Sequence, residues 1–86
     1  MSTDDIKKNI EHAVANATVY VLDPNQDGQH FQAIVISPLF ENMPLIKQHQ
    51  LIMNALKEDF HEAIHALALK TFTPSKWNET KNQYGL

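Results

Sequence analysis

His65-Ala66-Leu67-Ala68-Leu69-Lys70-Thr71-Phe72-Thr73-Pro74-Ser75-Lys76-Trp77 joins an alternating segment to a helix start. From His65 to Phe72 the side chains alternate with period two, the signature of a strand. His65, Leu67 and Leu69 share one face; Ala66, Ala68, Lys70 and Phe72 share the other. Thr73 is a helix-capping residue type, and Pro74 suits the first helical position because its missing amide has no intrahelical partner there. A short helix carrying the only tryptophan, Trp77, then runs to about Gln83. The strand reads as the centre of a small sheet, with His65 at its head.

The elements upstream follow from the same rules. Ser2 and Thr3 are capping types, Asp4 and Asp5 suit the positive end of a helix dipole, and Ile6, Ile10, Ala13, Val14 and Ala17 recur at helical spacing. A first helix is predicted over residues 3–16. Residues 17–22 are β-branched and aromatic and alternate, predicting a first strand. Asp23-Pro24-Asn25-Gln26-Asp27-Gly28-Gln29 is a cluster of turn formers. Residues 31–37 predict a second strand, antiparallel to the first and ended by Pro38. Pro44 then opens a helix over residues 45–57, with Leu45, Ile52, Met53, Leu56 and Phe60 on its apolar stripe and His49 among them. The order is α-β-β-α-β-α: an α+β two-layer sandwich with a three-stranded sheet, its helices on one face. Val19, Val21, Leu67 and Leu69 are predicted to meet the first two helices.

The chain has 86 residues, which suits a single domain over 1–86, with 43% hydrophobic and 20% charged residues. Seven lysines, no arginine and ten acidic residues give a formal charge of −3, against the broad basic face of a generic nucleic-acid binder. With no cysteine, disulfides, cysteine-based zinc sites and thiol catalysis are excluded. The acidic-polar N-terminus lacks the apolar region of a secretory signal, and no apolar run approaches the roughly 20 residues of a membrane span. A cytoplasmic setting without membrane contact is expected.

His61-Glu62-Ala63-Ile64-His65 matches H-E-x-x-H, which in zinc proteases sets two histidine ligands one helical turn apart with glutamate as base. That chemistry needs the whole motif helical, whereas the alternation begins at His65. A minimal zinc hydrolase is thus the reading that the spacing opposes. His65 itself is either a histidine bonded to backbone where a strand begins or a metal ligand at an exposed edge. His30, at the end of the turn cluster, presents the same pair of options. His49 on an apolar stripe reads as a core histidine with a satisfied ring; His12 and His61 read as surface residues. Lys47, Lys70, Lys76 and Lys81 form either a weak basic patch or solvated surface. Phe72 and Trp77 read as packing residues, with docking as the alternative for the tryptophan.

Three segments resemble the BolA family: His30-Phe-Gln-Ala-Ile-Val-Ile-Ser37, Phe40-Glu-Asn-Met-Pro-Leu-Ile-Lys-Gln-His-Gln-Leu-Ile52, and Ile64-His-Ala-Leu-Ala-Leu-Lys-Thr-Phe-Thr-Pro-Ser-Lys-Trp77. The third is the most specific. The short loop and small size are similar to the bacterial IbaG/YrbA-like branch. The resemblance implies a class II KH-like fold and a non-enzymatic adaptor that pairs with a monothiol glutaredoxin. In such a pair a [2Fe-2S] cluster is shared, the glutaredoxin and glutathione supplying thiolates; the isolated chain is expected to bind none. The family's histidine at the start of the last strand matches His65, and its second ligand comes from the loop between the first two strands. Here that loop has no cysteine and its single histidine is His30. Either His30 substitutes or this chain supplies one ligand. Imidazole in place of thiolate removes negative charge and raises the cluster potential, and its protonation near neutral pH would release the cluster. The resemblance implies a second reading, a DNA-binding transcriptional regulator of stress responses, for which Lys47, Lys70 and Lys76 are the candidate contacts. No Gly-x-x-Gly backbone clamp is present for it. A weak homodimer is the self-associated alternative.

Overall fold

The computed structural model describes residues 2–28, 30–57 and 67–85. Its elements are α1 (Thr3–Ala13), β1 (Thr18–Leu22), β2 (Phe31–Ile36), a 3-10 turn (Pro38–Phe40), α2 (Leu45–Lys57), β3 (Leu67–Phe72), α3 (Pro74–Thr80) and a second 3-10 turn (Lys81–Tyr84). The α+β order is the one predicted, and α2 starts at the predicted Leu45 and is helical up to Lys57, the last residue described before Leu67.

A reciprocal capping box starts α1. The Ser2 hydroxyl accepts the Asp5 amide at 3.2 Å, and the Asp5 carboxylate accepts the Ser2 amide at 3.1 Å, so two otherwise orphaned donors are met. The helix stops three residues before the predicted Asn16, because Val14 is already extended and Asn16 takes φ 56° to reverse the chain. Asparagine tolerates that left-handed region better than most residues.

β1 and β2 pair antiparallel, from Thr18 opposite Ile36 to Leu22 opposite Gln32. β2 and β3 pair parallel, from Phe31 opposite Leu67 to Ile36 opposite Phe72. The strand order is β1-β2-β3, so the prediction that the third strand lies at the centre is corrected: β2 is central and β3 is an edge. The reason is visible in burial. Ala33, Ile34, Val35 and Ile36 form an unbroken buried run, as expected of a strand covered on both faces. β3 instead alternates between half-buried and exposed residues up to Lys70. The predicted start of that strand, His65 and Ala66, lies outside the described residues, as do Phe60 and the whole H-E-x-x-H match.

On one sheet face, Ile6 and Ile10 of α1, Val14 just past its end, and Ile52 and Leu56 of α2 pack on Val19, Phe31, Ala33 and Val35, with Val21, Leu67 and Leu69 alongside. The predicted strand–helix contacts are therefore present. The opposite face carries Ile34 and Ile36 against Trp77 of α3, with Tyr20, Phe72 and Tyr84 around it. The Trp77 ring centroid lies 5.3 Å from Phe72, 5.7 Å from Tyr84 and 5.9 Å from Tyr20. Helices on one face thus describes α1 and α2, while α3 covers part of the other.

The stripe of α2 also differs from its prediction. Leu45 is 61% exposed, and the buried positions are Gln48, Ile52 and Leu56. A polar residue takes the first place because the linker turns its carbonyls inward there. Gln48 donates to the Met43 carbonyl at 2.8 Å and the Phe40 carbonyl at 3.3 Å, and accepts from the Thr71 hydroxyl at 2.6 Å. An apolar side chain would remove all three bonds; the Phe40 carbonyl would keep the Met43 amide at 3.1 Å, while the Met43 carbonyl and the Thr71 hydroxyl would lose the partner that Gln48 supplies.

Candidate functional site

The loop between β1 and β2 is built by two aspartates. The Asp23 carboxylate accepts the amides of Asp27 at 3.3 Å and Gly28 at 3.0 Å. Its carbonyl accepts the Gln26 amide at 3.0 Å. Gln26 and Gly28 take φ 54° and 67° to close the turn; the space beside Gly28 is open, so backbone conformation and not crowding is what favours glycine there.

At the loop's end the Asp27 carboxylate holds His30 twice. One oxygen accepts the His30 amide at 3.0 Å and the other lies 2.8 Å from ring Nδ1. The His30 side chain remains 60% exposed. An ionised carboxylate only accepts hydrogen bonds, so in the neutral ring Nδ1 carries the proton and Nε2 keeps its lone pair. A histidine whose far nitrogen donates to a carboxylate is the usual arrangement of a metal-binding imidazole.

His65, the other sequence-predicted ligand, lies outside the described residues. The geometry beside it is described: Leu67, two residues later in sequence, pairs with Phe31, the residue after His30. β2 and β3 therefore begin at the same end of the sheet. Among the described residues no group of three or more His, Cys, Asp or Glu side chains could hold a metal ion. The donor chemistry of His30 fits one position in a coordination sphere completed elsewhere, and does not form a closed site of its own.

The candidate lysines do not form one cluster. Lys47 is exposed on α2, in the helical layer. Lys70 alternates with the core-facing Leu69 on β3 and so stands on the opposite sheet face. Lys76, exposed on α3, is 3.8 Å from Glu79.

His49 corrects a prediction. It is half-buried on α2, and its Nε2 is buried with no hydrogen-bond partner among the described residues, where a satisfied ring was predicted. Gln48 was missed by sequence reasoning. Its only local signal was a polar residue one helical turn before Ile52 in an otherwise apolar stripe. Among the described residues no helix is long and apolar enough to cross a membrane.

The family profile described as BolA-like protein matches residues 4–76. The acid stress protein IbaG of Escherichia coli K12 is 30% identical over 86 residues, 99% of each chain. The DNA-binding transcriptional regulator BolA of Haemophilus influenzae is 43% identical over 54 residues, which cover 59% of this chain and about half of that protein, 52%. Among solved structures, a bolA protein homologue from Coxiella burnetii superposes with a TM-score of 0.75 at 38% identity, covering 91% of this chain and 97% of that one. The BolA1 protein of Mus musculus gives 0.74 at 28% identity, covering 92% and 70%.

Proposed function

This chain belongs to the BolA-like family, and we propose that it is an adaptor that pairs with a monothiol glutaredoxin and shares a [2Fe-2S] cluster with it, acting in iron–sulfur assembly, transfer or regulation. The observation that carries the proposal is His30. Its ring is exposed, anchored through Nδ1, and set at the end of the sheet where β3 begins beside β2. Such a ring offers one nitrogen ligand and needs a partner for the rest. His65, just ahead of β3 in sequence, is the second ligand in this proposal, with the thiolates coming from the glutaredoxin and from glutathione. A cluster held in that way supplies a transferable iron–sulfur unit of raised potential. The role asks for no bond-making chemistry on a substrate.

The test is co-expression with a monothiol glutaredoxin, followed by visible absorption and circular dichroism of the purified pair. A cluster spectrum that collapses when His65 is replaced by Ala supports the proposal. An unchanged spectrum in His65→Ala, or no complex at all, overturns it.

The likeness to the DNA-binding transcriptional regulator BolA of Haemophilus influenzae favours a second reading, DNA binding in transcriptional regulation, and the likeness to the acid stress protein IbaG adds a setting in acid stress. Binding through Lys47, Lys70 and Lys76 would weaken steeply with salt through counterion release. Undetectable or salt-insensitive binding at low ionic strength sinks it.

A further inference from the structure

We propose that Asp27 is a positioning residue that selects the ring tautomer of His30, so that Nε2 is the nitrogen offered to an incoming metal centre. This rests on the proposal that His30 is a ligand. Three observations carry it. First, the two carboxylate oxygens divide their work: one takes the His30 amide at 3.0 Å and the other meets Nδ1 at 2.8 Å. Backbone and ring are held by the same group, so the ring cannot turn away without breaking the clasp. Second, Asp27 is itself placed by a neighbour, its amide bonding to the Asp23 carboxylate at 3.3 Å within the turn that also binds the Gly28 amide. The clasp is formed before any partner arrives. Third, among the described residues the Asp27 carboxylate is the group that bonds the ring, and it sets the protonation pattern there.

The chemistry follows from the acceptor-only character of a carboxylate. The proton of the neutral ring resides on Nδ1 and the lone pair on Nε2, pointing away from the clasp. The negative charge behind the ring also raises its basicity as a ligand. Because the loop lacks cysteine, this is how it can present one well-oriented donor.

Asp27→Asn tests the assignment with little change of shape. The amide oxygen still accepts the His30 backbone N–H. The side-chain NH2 now faces Nδ1 and donates to it, so the ring proton moves to Nε2 and the lone pair there is lost. Nitrogen-15 NMR of the isolated chain at alkaline pH reads this directly. The wild type is expected to show a pyrrole-type Nδ1 and a pyridine-type Nε2, and the variant is expected to exchange the two signatures while amide signals outside the loop stay in place. In the glutaredoxin complex, Asp27→Asn is expected to weaken cluster retention against a chelator by about 10–100-fold, the usual effect of removing an outer partner of a ligating histidine.

An unchanged tautomer in Asp27→Asn overturns the inference. So does an exchanged tautomer with wild-type cluster retention. His30→Ala then locates the failure. If it loses the cluster while Asp27→Asn keeps it, only the role of Asp27 falls. If it also keeps the cluster while His65→Ala loses it, His30 is no ligand but the glutaredoxin partnership stands.

Discussion

Gln48→Met is expected to destabilise the fold by about 2–3 kcal/mol. Methionine keeps the length of the side chain and removes its amide. The Met43 and Phe40 carbonyls, bonded at 2.8 and 3.3 Å, and the Thr71 hydroxyl, bonded at 2.6 Å, each lose a partner while staying in place. A net hydrogen bond contributes about 0.5–1.5 kcal/mol, and a buried group left unmet costs about 1–3 kcal/mol. The long bond to Phe40 counts at the low end, and the apolar surface of methionine offsets part of the loss. Gln48 joins the linker, α2 and the edge strand, so these contributions fall on three elements at once. For a domain of this size, whose total stability is on the order of 5–10 kcal/mol, the change is a large fraction. Urea unfolding followed by Trp77 fluorescence is a suitable assay, since that ring packs on the opposite sheet face and reports global unfolding. With a slope of about 1–2 kcal/mol/M, the midpoint should fall by about 1–3 M. Thr71→Val alone should cost about 1 kcal/mol, and the double variant should show a coupling of about 0.5–1.5 kcal/mol between the two residues. A Gln48→Met unfolding free energy that differs from the wild type by less than about 0.5 kcal/mol, or a strictly additive pair, refutes the reason given for a polar residue in the core stripe.

Trp77→Ala should cost about 3–5 kcal/mol, the range for removing a large buried aromatic, because Ile34, Ile36, Phe72, Tyr20 and Tyr84 all pack around it; far-UV thermal unfolding checks this, and a loss below 1 kcal/mol would show that α3 is a dispensable cover. His49→Leu should leave stability unchanged or raise it by about 1 kcal/mol, since a buried nitrogen without a partner among the described residues is removed; marked destabilisation would mean that the ring does work the described residues do not reveal. The Ser2 backbone and hydroxyl bonds hold the Asp5 carboxyl below the ordinary aspartate range. A carboxyl with a lowered folded pKa stabilises the fold above its unfolded pKa, about 3.9, and that contribution disappears as pH falls through the folded value. The melting temperature of Asp5→Asn should therefore approach that of the wild type as pH drops below about 4, and a difference that stays constant with pH counts against the capping box.

The element order, the start of α2 and the placement of the α1 stripe were legible because each depends on neighbours within a few residues. Ser2 and Asp5 cap a helix across one turn, Pro38 ends a strand for want of an amide, and Ile6 and Ile10 share a face by helical geometry alone. The family resemblance also lay in short segments. Strand order was a different matter. The alternation from Leu67 to Phe72 and the unbroken run from Ala33 to Ile36 were both on view, and only the second marks a strand covered on two faces; α3 supplies the second cover, so the distinction needed a contact between parts of the chain far apart in sequence. Gln48 meets Thr71 across 23 residues, and no local pattern announces that two linker carbonyls will turn inward beside it. At the candidate site, the sequence set His30 at the end of a turn-forming loop and left its role open between loop surface and ligand. Which ring nitrogen it offers is decided by the folded loop, because a tautomer answers to the position of the Asp27 carboxylate relative to the ring and not to the spacing of the two residues along the chain.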